Sequence, residues 1–338
     1  MKAKTTQQHL QTIAVIGGGS WATAIVKILS EKEVKIKWWL RNEADVNYIE
    51  TFGHNPHYLS DVQINLKKVK LCPDIERTVE NAGYVILAVP AAFIENALEP
   101  LSDVHLENKV IVSAIKGMIP IKNALVTDWL ADDFNVKPQH KCVIAGPCHA
   151  EEVALEKQSY LTIASQDLQQ AQKFAELMTC RFVQASAIDD VYGIEYCAVR
   201  KNIIAMACGI THGLNYGDNF QAVLVSNAMQ EIKRFLDEIH PKNRDLSASA
   251  YLGDLLVTAY SQFSRNRTFG NMVGRGYSVK SAQVEMNMIA EGYYAVKSIH
   301  EINKQHQVYM PIIESVYQIL YEKAIPGASI LALKAVLR

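Results

Sequence analysis

The stretch "IAVIGGGSWATAI" at 13–25 constrains the fold more than any other part of the chain. Apolar, β-favouring residues come first, glycines follow at once, and a helix-compatible run begins directly after them. Gly17, Gly19 and Ala22 stand in a G-x-G-x-x-A spacing. Glycine is needed where the backbone turns tightly and comes close to a pyrophosphate. The helix that follows offers unpaired N–H groups and the positive end of its dipole. Such a motif is weak in isolation. Between a buried-strand pattern and a helix pattern, near the N-terminus, it reads as a dinucleotide-phosphate loop rather than a bare turn.

The rest of the first half repeats that alternation. Strand-like runs occur at 12–18, 34–40, 84–90, 109–117, 142–146 and 160–165. Several are continuously apolar, as strands buried on both faces of a parallel sheet are. Helix-length segments such as "WATAIVKILSEK" (21–32) and "AAFIENALEPL" (91–101) lie between them. The expected fold is an α/β N-terminal domain, a Rossmann-like doubly wound parallel sheet, over 1–188. From 189 to 338 the helical period takes over, as in Met229, Ile232, Leu236 and Ile239, with Pro241 just past that helix. An all-α C-terminal domain carrying the substrate and catalytic groups is expected there. No strand is expected after about 186, and "GNMVGRG" (270–276) is expected to interrupt the helices.

Composition narrows the function. Of 338 residues, 34 are basic and 35 acidic, which argues against a dedicated nucleic-acid binder. No apolar run approaches the ~20 residues of a membrane helix. The polar start "MKAKTTQQHLQ" shows no signal peptide, and the 6 cysteines form no C-x-x-C pair, so reduced thiols in the cytoplasm are expected. Cys148 and His149 are adjacent but lack a second ligand pair at zinc spacing, so no metal is expected.

Charged residues in distinctive settings supply the candidate chemistry. Arg41 and Asn42 end the second strand, where a carboxylate would grip an NAD ribose. An arginine there suits the 2′-phosphate of NADP, so NADP is slightly favoured over NAD. Val89-Pro90 stops the third strand of the pattern, either beside a cofactor or at a plain connection. Lys116 lies at the carboxyl end of a strand, where open α/β sheets bind ligands. Lys201 sits in the apolar "CAVRKNIIAMACGI". It is either desolvated, with a pKa lowered toward useful proton transfer, or extended to the surface. Asp254 is either a helix cap or the carboxylate that orients Lys201. In "SRNRTFG" (264–270), Arg265 and Arg267 carry donor forks suited to phosphate, or they merely mark a solvated turn.

Together, "GGGSWATA" (17–24), "VP" (89–90), "SAIKG" (113–117), "GPCHAEEV" (146–153), "RKN" (200–202), "GDL" (253–255), "SRNRTFG" (264–270) and "AEG" (290–292) resemble, in order, the NAD(P)-dependent glycerol-3-phosphate dehydrogenases of bacterial type. The resemblance implies reversible reduction of dihydroxyacetone phosphate to sn-glycerol 3-phosphate, supplying glycerophospholipid synthesis. It implies Lys201 as base, Asp254 as its holder, and Lys116 on the substrate oxygens. It implies Ser264, Arg265 and Asn266 on the phosphate, with Gly146 and Cys148 lining the pocket. Gly17, Gly19, Ser20, Trp21, Arg41, Lys116, Ala150, Arg265, Ile289 and Glu291 would meet the cofactor. A homodimer is also implied.

Three departures stand out. Ala22 replaces a usual glycine. Cys148-His149-Ala150 replaces a usual Ser-Phe-Ala, and a thiol is the weaker donor. Arg200 replaces an apolar residue. Two rivals remain: a two-domain dehydrogenase acting on a hydroxy acid or sugar acid phosphate, and a dinucleotide sensor that has kept the fold without turnover.

Overall fold

Residues 10–286 and 290–338 are described by the structure, a computed structural model. Its sheet has the order β3-β2-β1-β4-β5-β6-β7-β8. The strands are β1 (Thr12–Ile16), β2 (Lys35–Trp39), β3 (Val69–Cys72), β4 (Tyr84–Leu87), β5 (Val110–Ser113), β6 (Lys141–Ala145), β7 (Ser159–Ala164) and β8 (Val183–Ile188). The six strands from β3 across to β6 are mutually parallel, with Ile16 of β1 aligned to Trp39 of β2 and to Leu87 of β4. The order reverses between β1 and β4, and that is where a crevice opens beyond the strand ends.

Both faces of the sheet are covered by α1 (Ser20–Ser30), α2 (Glu43–Phe52), α3 (Ile75–Val79), α4 (Ile94–Leu98), α5 (Asp103–Leu106), α6 (Val126–Phe134), α7 (Ala150–Ala154) and α8 (Leu168–Met178). The alternation of β1 explains why. Ile13 and Val15 pack with Ile25, Ile28 and Leu29 of α1, while Ala14 and Ile16 pack with Ile94 and Leu98 of α4. A strand apolar on both sides needs a helix layer on each.

The sheet departs from the sequence reading in two ways. It is mixed rather than wholly parallel, because β7 runs antiparallel to β6 and β8 runs parallel to β7. A parallel return would need a helix as long as the sheet is deep. The connecting α7 has 5 residues and rises only about 7.5 Å. Two strands also lie outside the sequence expectation. In β3, "VKLC" is only 4 residues long. In β8, "VQASAI" lies at the sheet edge with alternate residues open to solvent, which leaves almost no apolar run to read.

The second half is built from α9 (Val191–Gly213), α10 (Asp218–Ile239), α11 (Asp254–Tyr260), α12 (Arg265–Gly274), α13 (Val279–Glu285), α14 (Glu291–His306), α15 (Pro311–Tyr321) and α16 (Pro326–Lys334). Helix α9 is central. It touches α10, α11, α12, α14, α15 and strand β6, and is buried along nearly its whole length. "GNMVGRG" interrupts the helices only at its end: Gly270 lies within α12 and Gly274 is its last residue, while Gly276, at φ +97°, stands in the break before α13. A Cβ on Gly270 would collide with the Met206 carbonyl oxygen, and one on Gly209 of α9 would collide with that of Arg267. The glycines let two helix backbones touch. Among the described residues no helix is long and apolar enough to cross a membrane.

Candidate active site between the sheet and the helical layer

Gly17 has φ +132°, and a Cβ there would lie 2.5 Å from the Ala88 carbonyl oxygen, so only glycine fits. Gly19 faces open space. The Trp38 indole donates to the Gly17 carbonyl at 2.6 Å, and Asn55 donates from Nδ2 to the Gly18 carbonyl and to Thr23 Oγ1, each at 3.0 Å. The loop is thus held from β2 and from the segment after α2. Helix α1 opens at Ser20 with neither a side-chain cap nor an acidic residue in its first turn, and the buried Trp21 Nε1 has no partner. An open cradle at an uncapped helix start fits a dinucleotide pyrophosphate. Arg41 is exposed just beyond the carboxyl end of β2.

Lys201 and Asp254 meet across the helical layer. Both are buried, and the Lys201 ammonium donates to Asp254 Oδ1. Asp254 Oδ2 accepts from the Gly146 amide at 3.3 Å. The surface and cap readings of these two residues therefore fall. Gly146 has φ +117°, and a Cβ there would lie 2.7 Å from the Tyr160 carbonyl oxygen, so this turn too requires glycine. Burial lowers the Lys201 pKa to about 7; Asp254 acts against that and Lys116 with it. A lysine shifted this way is suited to proton transfer near neutral pH.

The aspartate is placed by a π-helical turn, Ser249–Gly253, that runs directly into α11. Tyr251 of that turn donates to Asp190 Oδ2 at 2.7 Å, and Arg244 grips both Asp190 oxygens at 2.6 and 3.0 Å. Asp190 in turn caps α9 through the Gly193 amide. One buried carboxylate thus ties the start of the Lys201 helix to the turn that carries Asp254.

Lys116 approaches from the end of β5. Its ammonium lies 5.3 Å from the Trp21 ring centroid, and its carbonyl accepts from Asn202 Nδ2 at 2.7 Å. Cys148 is buried near Lys116, Asp254 and Lys201, and burial raises its thiol to about 11, so it stays protonated. Ala150 is the first residue of α7. "SRNRTFG" is not a surface turn. Ser264 caps α12, accepting from the Arg267 amide at 3.3 Å. Asn266 is buried and accepts from the Gly292 amide at 2.9 Å. Glu291, at the start of α14, accepts from the Ala91 amide at 3.1 Å, beyond Val89-Pro90, and so links the helical layer to the sheet. Burial raises the Glu291 pKa, opposed by the Ala91 amide and by the charge of Arg265. Ile289 lies outside the described residues.

Known proteins match this chain over most of its length. The family described as NAD-dependent glycerol-3-phosphate dehydrogenase matches twice, its N-terminal part at residues 12–171 and its C-terminal part at 190–330. The chain belongs to this family. It is 34% identical to the glycerol-3-phosphate dehydrogenase [NAD(P)+] of Macrococcus caseolyticus, over 92% of this chain and 93% of that one. It is 34% identical to the enzyme of the same name from an Exiguobacterium species, over 94% and 93%. The crystal structure of glycerol-3-phosphate dehydrogenase from Coxiella burnetii superposes with a TM-score of 0.88 at 29% identity, covering 96% of this chain and 98% of the other.

Arg200, a departure from the family pattern, has a physical account. It is fully buried; Nη1 donates to the carbonyls of Glu231 and Ile232 at 3.3 and 3.5 Å, and the guanidinium lies 4.6 Å from the Phe235 ring centroid. It fastens α9 to α10 where an apolar side chain would only pack. Asn55, Asn202 and the Asp190 network have no role in the sequence reading. Asn202 stands within "RKN", and its place next to a buried lysine is the available signal.

Proposed function

We propose that this protein reversibly reduces dihydroxyacetone phosphate to sn-glycerol 3-phosphate with NADPH or NADH, and that Lys201 exchanges the proton. The observation that carries the residue assignment is the buried Lys201–Asp254 pair, its lysine poised at about 7, held at the Gly146 amide just beyond the carboxyl end of β6. The nicotinamide coenzyme supplies or accepts the hydride.

The chain's own groups do the rest. In reduction, protonated Lys201 donates from Nζ to the carbonyl oxygen as negative charge builds there; in oxidation, neutral Nζ takes the hydroxyl proton. Asp254 aims that nitrogen, and Lys116 offers a further donor to the substrate oxygens. Arg265 and Asn266, with the Ser264 hydroxyl, hold the phosphate. The phosphate is chemically unchanged and contributes binding energy remote from the reacting carbon. Gly146 and Cys148 line the pocket floor. Gly17, Gly19, Ser20 and Trp21 would hold the pyrophosphate, Arg41 the 2′-phosphate, and Ala150 and Glu291 the nicotinamide half, with Lys116 and Arg265 reaching the coenzyme as well.

The division of labour follows a boundary at 188/189, with the ligands gathered between the two domains. A cytoplasmic homodimer serving glycerophospholipid synthesis completes the reading, supported by family membership. The test is to follow oxidation of NADH and NADPH by the purified protein with dihydroxyacetone phosphate. Rapid turnover with this ketone and none with hydroxy-acid precursors is expected. Coenzyme binding without turnover would favour the sensor reading.

A further inference from the structure

His149 stands between Cys148 and Ala150, and its Nε2 is a buried atom with no hydrogen-bond partner. Its ring lies 6.1 Å, edge-on, from that of Phe263, the residue before Ser264. It is close enough to Lys116 and Lys201 to feel both charges, and Val257 of α11 and Glu151 of α7 act on it in the opposite sense. Burial and the two lysines hold the imidazole below its ordinary pKa, so it is neutral at neutral pH. A neutral imidazole carries its proton on one nitrogen and leaves the other an acceptor; with the proton on Nδ1, the unpartnered Nε2 is the acceptor. A buried acceptor left without a donor is costly, and the site around it is otherwise rich in donors for anions and carbonyls. Dihydroxyacetone phosphate has a phosphate, a ketone and a single hydroxyl. With the phosphate fully ionised, only that hydroxyl, on C1, can donate.

We propose that His149 accepts a hydrogen bond from the C1 hydroxyl of the bound substrate and so makes the pocket select a hydroxymethyl ketone phosphate over its methyl analogue. This rests on the reaction assigned under Proposed function. A phenylalanine at this position would occupy similar space without an acceptor, so the specificity would rest on the imidazole nitrogen.

The test compares kcat/KM for dihydroxyacetone phosphate with kcat/KM for monohydroxyacetone phosphate, in which C1 is a methyl group, using NADPH. The ratio of the two is measured for the natural protein, His149→Phe and His149→Gln. Coenzyme binding, read by tryptophan fluorescence, shows that each variant is folded. The ratio should fall about tenfold in His149→Phe, the factor one net hydrogen bond supplies, and recover in part in His149→Gln, whose amide oxygen reaches the same place. An unchanged ratio in His149→Phe overturns the proposal, even if the KM for coenzyme moves. A natural protein that turns over neither ketone overturns the reaction assignment itself, and with it this proposal. A merely structural role would lower both kcat/KM values together and leave their ratio alone.

Discussion

Replacing Asp254 by asparagine preserves shape but removes the charge that faces Lys201. That charge is the main influence holding the lysine pKa up against burial. A neighbouring opposite charge moves a pKa by about 1–3 units, so its loss should lower the Lys201 pKa by at least about one unit. Lys201 at about 7 is protonated in about half of molecules at neutral pH; one unit lower, in about a tenth. Reduction needs the protonated form. It should therefore fall about fivefold at neutral pH from protonation alone, and further because a neutral side-chain amide aims the amine less firmly than a carboxylate. Oxidation needs the neutral form, so protonation brings it no loss. The assay is kcat/KM for NADPH-dependent reduction and for glycerol 3-phosphate oxidation from about pH 5 to 9, bracketing that pKa. The alkaline fall of reduction should move to lower pH, and the deficit should narrow toward the acid end. A profile that stays in place, or moves to higher pH, would refute the pairing as the source of the poised lysine.

Two further substitutions test the ligand assignments. Arg265→Ala should raise the KM for dihydroxyacetone phosphate by roughly 10- to 100-fold, the worth of a charge-assisted hydrogen bond, and leave the unphosphorylated ketone about as poor as before. Steady-state kinetics with both ketones measures this, and an unchanged KM removes the phosphate role. Arg41→Ala should weaken NADPH by about tenfold with little effect on NADH, since only NADPH carries the 2′-phosphate. Equal losses for both coenzymes would place Arg41 elsewhere.

The glycine loop is legible in the sequence because everything that defines it is local: a strand, a forbidden Cβ at Gly17, and a helix start. The change from alternating elements to helices is legible for the same reason. Lys201 and Asp254 are visible only as candidates. Helix α9 is buried on all sides, so its spacing shows no polar face from which to decide where a lysine points. Their meeting depends on a π-helical turn and on the Asp190 network, features that carry no periodic signal. β8 escapes a sequence reading because edge strands need little apolar sequence. Gly270 and Gly274 look like breakers, yet helix contact, not chain reversal, requires them. In the sequence His149 stands out only as a metal ligand without a partner. Its unpaired nitrogen emerges only when the chain is folded.

The most direct test of the central claim compares the natural protein with Lys201→Ala, measuring dihydroxyacetone phosphate-dependent oxidation of NADPH alongside fluorescence titration of NADPH binding. The account expects brisk turnover in the first and a loss of roughly 100- to 10,000-fold in the second, the usual worth of a general acid–base group, with coenzyme affinity nearly unchanged. Turnover close to the natural rate in Lys201→Ala, with NADPH still bound, would contradict it.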